Sequence, residues 1–277
     1  MEGKVGHHAF DLLMELPAEH IRLDCATLHL ARDVFPQISL ERYLRQLDEL
    51  AEQVASLRPG RSAARRYEAA RAILVDEHGF TGRGADYSDP HNCYLNCVLE
   101  RRTGLPVALC VVWLEVARRL KWPVAGVALP GHFLVRFDDA ERLVLADPFA
   151  DGASVSIGDC RRLLADRFGS AIDFSFAMLT PADSRTVLMR MLNNLRRIHL
   201  ERCDWPRLAT VLRRLLAVEP DSGEHLQDLA SVCARRGDVR GAYTFLQLYL
   251  KRMPRAADCD LVQSNLARLE AALVARN

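Results

Sequence analysis

Five positions in the last third of the chain match after 34 residues, four by identity and one by apolar character: Asp204 with Asp238, Val211 with Phe245, Leu212 with Leu246, Leu216 with Leu250, and Pro220 with Pro254. A period of that length, with a proline closing each unit, marks a repeat of two antiparallel helices. Such a unit cannot bury its apolar face alone and must stack on a neighbour. Helices are expected over residues 186–202, 205–218, 223–236, 239–252 and 259–275, and no strand alternation or glycine cluster appears after residue 184. Because about three such units is the fewest that normally stack alone, the tail is either capped by its last helix or leans on what precedes it.

Residues 104–149 are organised differently. They read GLPVALCVVWLEVARRLKWPVAGVALPGHFLVRF and close on LVLADPF. Pro106 suits the first turn of a helix, where its missing N–H is not needed. Leu109, Val112, Trp113, Val116, Ala117 and Leu120 then fall at helical spacing, with Glu115, Arg118, Arg119 and Lys121 as the wet side and Pro123 as the stop. Three short β-type runs follow at 124–129, 132–137 and 142–147, separated by Pro130-Gly131 and by a polar turn over 138–141. If Phe137 pairs with Arg142 across that turn, His132 lies opposite Asp147, with Cβ atoms about 5 Å apart. A carboxylate there would fix the tautomer of the ring, as in the rear half of a nucleophile–His–Asp triad. A bulge in the turn would break this register.

The first hundred residues read as helices over 11–16, 18–35, 40–57 and 62–78, with Ser39 as an N-cap. Arg58, Arg61, Arg65, Arg66 and Arg71 form a basic patch, either a solvated face or a surface for an anionic ligand. The glycine-rich stretch 79–88 lacks the Gly-Lys-Ser/Thr ending of a phosphate cradle and reads as a loop over a site. Asp89-Pro90 opens a helix over 91–101 that places Asn92 and Asn96 on one face, as supports for the loop before Pro106. Cys93 and Cys97, with His91 nearby, are the one close cysteine pair, and no second cluster completes a zinc site. After Phe149 the chain reads as a polar turn and then a short helix over 161–168.

The segments DPHNCYLNCVLERRTGLPVAL, LPGHFLVRF and ADPF resemble the bacterial SirB-type family, a transglutaminase-like domain followed by tetratricopeptide repeats. The resemblance covers nearly the whole chain. It implies an α+β fold: a helix-rich transglutaminase-like domain of the papain-like superfamily over 1–183, with a small antiparallel sheet, and an all-α tetratricopeptide tail over 184–277. In that fold the nucleophilic cysteine begins the helix, and the matching place here falls at or beside Pro106. His132 and Asp147 match the other two positions. Cys110, one helical turn further on, is the remaining thiol on that helix face. It is either a small buried hydrophobe or the nucleophile of a surviving site.

Two functions follow. The first is a non-catalytic adaptor, with a degenerate pocket and a repeat tail that binds a protein or peptide. The second is a cysteine-dependent acyl-transferase or amide hydrolase with Cys110 as nucleophile, His132 as base and acid, and Asp147 as orienter, the amides of Val107, Ala108 and Leu109 being the nearest oxyanion donors. Catalysis tolerates little displacement of a nucleophile, about 100-fold in rate for roughly 1 Å, so the adaptor is the preferred reading.

A net charge of +1 gives no general attraction to nucleic acid or anionic lipid, and the chain carries no helix-turn-helix signature. No uninterrupted apolar stretch is long enough to span a bilayer, and the N-terminal run is broken by acidic residues, unlike a signal peptide. A cytoplasmic protein is expected, its eight scattered cysteines kept as thiols, with no metal or cofactor implied.

Overall fold

Proline and glycine punctuate the first hundred residues, and the computed structural model, which describes residues 8–274, has its early helices between those breaks. They are α1 (Ala9–Leu13), α2 (Leu23–Ala31), α3 (Leu40–Ser56) and α4 (Ala63–Arg71), the last running into a π-turn over Ala72–Glu77. Residues 1–7, part of the stretch read as unlike a signal peptide, and residue 275, assigned to the last helix from sequence, lie outside the described residues. Ser39 and Ser62 accept the amides of Arg42 and Arg65, so α3 and α4 begin on side-chain caps. The helix expected over 18–35 is shorter. Pro17 leads into a 3-10 turn, Ala18–His20, and Ile21 and Arg22 stay extended, which lets the Arg22 guanidinium fold back onto Asp24.

The helix expected over 91–101 is also interrupted. Pro90–Cys93 is a 3-10 turn, Tyr94 is extended, and α5 begins at Leu95 and ends at Arg101. The carbonyl of Asn92 is taken by the amide of Leu105 at 2.8 Å rather than by a helical bond to residue 96. Asn92 and Asn96 therefore do not share one helix face; the thiols of Cys93 and Cys97, on the same two elements, are both buried.

Helix α6 (Pro106–Arg119) forms the centre of this part of the molecule, and every residue from Pro106 to Ala117 is buried. A helix buried on all sides needs partners all round; α2, α3, α5 and the sheet supply them. Glu115, expected on the wet side, is only 1% exposed. It bonds Arg118 and Arg119, and both guanidiniums also reach the fully buried Asp24, which Arg22 bonds as well. Burial, and then the neighbouring Asp24, push the Glu115 carboxyl above its ordinary value, whereas guanidinium hydrogen bonds outweigh burial and hold Asp24 below its own.

After α6 come β1 (Val124–Val127), β2 (Leu134–Asp138), β3 (Leu143–Asp147) and β4 (Ala153–Val155), an antiparallel sheet in chain order. Strand β4 falls in the stretch read as a polar turn. Asp151 and Gly152 both take positive φ, 54° and 65°, and reverse the chain so that Ala153 pairs with Asp147. Helix α7 (Ile157–Phe168) starts four residues before the expected 161, on a full capping box between Ser156 and Asp159. Its Cys160 and Leu164 pack with Val127, Leu134 and Leu145 of the sheet.

Contacts divide the described chain into two units, 8–191 and 192–274, the division falling inside α8 (Ser184–Glu201). Beyond it run α9 (Trp205–Val218), α10 (Gly223–Arg235), α11 (Val239–Arg252) and α12 (Cys259–Val274). The starts of all five helices and the ends of α8 to α11 lie within two residues of the expected ones. The 34-residue period extends to the backbone: Asp204 and Asp238 both cap a helix, with φ −81° in each and ψ 74° and 75°. Their amides donate to His199 and Cys233 respectively, both at 2.9 Å. The positive φ before each cap belongs to Cys203 in one copy and Gly237 in the other.

Candidate functional site

Pro130 and Gly131 make the turn that presents His132. Gly131 has φ 74°, and the His132 amide closes the turn on the Leu129 carbonyl at 3.0 Å. Across the hairpin, Asp147 ends β3 and caps the 3-10 turn Pro148–Ala150. One of its oxygens accepts the amides of Phe149 at 2.9 Å and Ala150 at 3.3 Å, and the other lies 2.7 Å from His132 Nε2. The two side chains are 14% and 8% exposed, so the pair is nearly withdrawn from water but retains an opening on the imidazole.

The pair forms through a register that differs from the expected one. Phe137 pairs with Val144 rather than Arg142, because the four-residue loop runs over 139–142 instead of 138–141. The Asp139 carboxylate sets it there by accepting the amides of Glu141 and Arg142, and that of Ala63 from α4. The slip moves each pairing by two residues, and side chains alternate with period two, so the His and Asp faces are unchanged.

At the start of α6, Leu105 is the N-cap without a side-chain cap, and Pro106 is the first helical residue. The amides of Ala108 and Leu109, expected as oxyanion donors, both bond the Leu105 carbonyl at 3.0 Å, which leaves Val107 as the one with no such bond. Cys110 is wholly buried, and its thiol donates to the Phe133 carbonyl at 3.5 Å. Burial, reinforced by the Asp147 carboxylate, pushes that thiol well above its ordinary value. A thiolate nucleophile needs the opposite shift.

Asn92 holds the neighbouring loop through its side chain, with Nδ2 donating to the Asp86 carbonyl at 2.9 Å. Asn96 is buried in the first turn of α5, and its Oδ1 has no hydrogen-bond partner. The glycine-rich stretch 79–88 lies against Phe149: the Gly82 amide donates to the Phe149 carbonyl at 3.0 Å, and a Cβ on Gly82 would stand 2.1 Å from the Phe149 ring. That ring meets His132 edge-on at 6.4 Å and Tyr87 at 5.6 Å. Phe149, Tyr87 and Gly82 were not singled out by sequence reasoning, although an aromatic directly after Asp147-Pro148 and a glycine inside the loop were visible signals.

The arrangement can hold an imidazole with one nitrogen on a carboxylate and offer the other, Nδ1, to a carbonyl or amide. No group of three or more His, Cys, Asp or Glu that could hold a metal ion occurs among the described residues, and no helix among them is long and apolar enough to cross a membrane.

The family model described as the transglutaminase-like superfamily matches residues 41–193, and that of the tetratricopeptide repeat matches 195–267. A UPF0162 protein of Xylella fastidiosa is 32% identical over 261 residues, 91% of each chain. One from Pseudomonas aeruginosa is 36% identical over 176 residues, 63% of each chain. F-box only protein 21 of Homo sapiens is 31% identical over 136 residues, which are 46% of this chain and 21% of that protein. No solved structure matches. The helix, the His- and Asp-bearing strands and the repeat tail thus coincide with these matches, and the chain belongs to the transglutaminase-like superfamily, in its SirB-type branch with tetratricopeptide repeats.

Proposed function

We propose that this protein is a non-catalytic, degenerate member of its superfamily that works in the cytoplasm as an adaptor. The His132–Asp147 pocket binds without reacting, and the repeat tail engages a protein or peptide partner. The observation that carries this reading is the state of the sulfur. Cys110 is sealed in the core of α6 with its thiol committed to a backbone carbonyl, while Pro106 stands at the helix start where the superfamily's nucleophile belongs. A neutral, enclosed thiol is a poor nucleophile, and the amides that would stabilise an oxyanion are largely spent inside the helix. The tail supports the second half of the reading, since tetratricopeptide repeats typically mediate protein–protein interaction.

The test is thiol mapping. The native protein is treated with iodoacetamide at neutral pH and the labelled cysteines are identified over time. Exposed Cys203 should label first, and Cys110 should lag with the buried Cys93 and Cys233. Rapid labelling of Cys110 that disappears in His132→Ala would overturn the proposal and restore the acyl-transfer reading, with Cys110 as nucleophile, His132 as base and Asp147 as orienter.

A further inference from the structure

The polar face of α3 borders a cleft that the His132–Asp147 pair does not use. Arg42, Arg45, Gln46, Glu49 and Gln53 recur there at helical spacing, and with His78 and Arg102 they line a cavity of about 370 Å³. That volume falls within the range of roughly 300–1,000 Å³ typical of small-molecule sites. Three guanidiniums stand against one lining carboxylate, Glu49. Arg42 has an acidic neighbour in Glu100, 3.4 Å away. Among the described residues Arg45 and Arg102 have no carboxylate partner.

Arg102 is the informative member. It sits in the left-handed region, φ 58°, at the end of α5, where its amide bonds Val98 and its carbonyl accepts the amide of Thr81, both at 2.9 Å. The backbone is therefore held from both sides in a conformation unfavourable for arginine. Its guanidinium lies over the Phe80 ring, 4.7 Å from the centroid, and its buried Nη1 has no hydrogen-bond partner. Desolvation holds its pKa below the ordinary value, with no carboxylate to offset that effect. An unpaired, partly desolvated guanidinium is costly unless an anion completes it. His78 adds an imidazole whose Nε2 lies 2.5 Å from the Gln53 side-chain oxygen, which fixes the ring at the cavity wall.

We propose that this cleft is a binding site for a small phosphorylated molecule, its phosphate held between Arg45 and Arg102 with Arg42 at the margin. The fork of a guanidinium matches two phosphate oxygens, and a dianion balances the excess positive charge of the lining. The cavity leaves room for an organic group beside the phosphate.

The test is titration of the full chain with phenyl phosphate and, separately, inorganic phosphate, by calorimetry at constant ionic strength with sodium chloride as control. Phenyl phosphate should bind saturably, and Arg102→Asn should weaken it by about tenfold or more, the usual loss for a hydrogen bond to a charged group. Asparagine suits the positive φ at this position, so the variant should keep the circular dichroism spectrum of the parent. Should it fail to fold, Arg45→Ala, at an exposed position of α3, carries the test with the same required loss. Equal affinity for inorganic phosphate would assign the site to free phosphate, which is the same chemistry from the other source. Absence of saturable binding by either anion, or undiminished binding in Arg102→Asn, would overturn the proposal.

Discussion

Asp147→Ala removes in one step the acceptor for the His132 ring and for the first turn after β3. The lost bonds are the 2.7 Å contact to His132 Nε2, the 2.9 Å bond from the Phe149 amide and the longer 3.3 Å bond from Ala150. Hydrogen bonds to an ionised acceptor contribute roughly 1.5–3 kcal/mol each. Counting only the two short bonds, with Asp147 just 6% exposed, the alanine variant should lose about 3–6 kcal/mol. Asp147→Asn separates the two roles of the side chain. Its Oδ1 can still accept both amides, but its Nδ2 can only donate to the ring, so Nε2 must give up its proton and the tautomer inverts. The loss should then be only about 0.5–1.5 kcal/mol. The assay is denaturant-dependent amide exchange at Phe149 and Ala150, together with the ¹⁵N shifts of the His132 ring. An alanine variant within about 0.5 kcal/mol of the parent, the range of neutral surface changes, would refute the reasoning. So would an asparagine variant whose ring keeps its proton on Nε2.

Two further outcomes are expected in the repeat tail. Cys203→Gly should stabilise it, because Cys203 holds φ 53° where the next repeat has Gly237 at φ 74°; relief of about 1–2 kcal/mol of left-handed strain, less about 0.4–1 kcal/mol of added freedom in the unfolded chain, leaves a net gain near 0.5–1 kcal/mol, and thermal unfolding that shows a loss would contradict it. The tail should also loosen on acidification. His199 and His225 are buried with neither ring nitrogen in a hydrogen bond, and burial outweighs the carboxylates of Asp204 at 3.6 Å and Glu219 at 3.5 Å, so both imidazoles are held below their ordinary value. The unfolded chain then binds more protons than the folded one, so stability is full above about pH 6.5 and falls as pH drops through that value, by at most about 2.7 kcal/mol per pH unit for two protons. Amide exchange in α8 to α10 at pH 7.5 and 5.5 measures this, and a double His199→Gln, His225→Gln variant that keeps the full pH dependence would show that other groups cause it.

How much of this was legible in the sequence varies with how local the determining contacts are. The tail helices could be placed within two residues because the same signals occur twice, 34 positions apart, and the capping aspartates Asp204 and Asp238 lie beside the residues they serve. The His132–Asp147 pair survived a wrong register because the slip was even; a slip of one residue would have turned the two side chains to opposite faces. Both omissions after Phe149 were local and readable: Asp151-Gly152 is a hairpin signal and Ser156 with Asp159 a capping box. The misreadings of Glu115 and Asn92 were of another kind. Glu115 looked wet because helical spacing assigns charge to solvent, and its burial depends on guanidiniums that it shares with Asp24 in α2. Asn92 looked helical because its carbonyl partner, the amide of Leu105, is recruited from beyond the helix. Periodicity records which face a residue takes, but a distant polar partner leaves no trace in spacing. The two places where a distant polar partner defeats the spacing lie on either side of α6: the Asn92 carbonyl braces its N-terminal end, and Glu115 ties its C-terminal end to α2 through the guanidiniums it shares with Asp24. Together they fix the helix that keeps Cys110 out of reach of solvent, so the contacts least visible in the sequence are those on which the non-catalytic reading most depends.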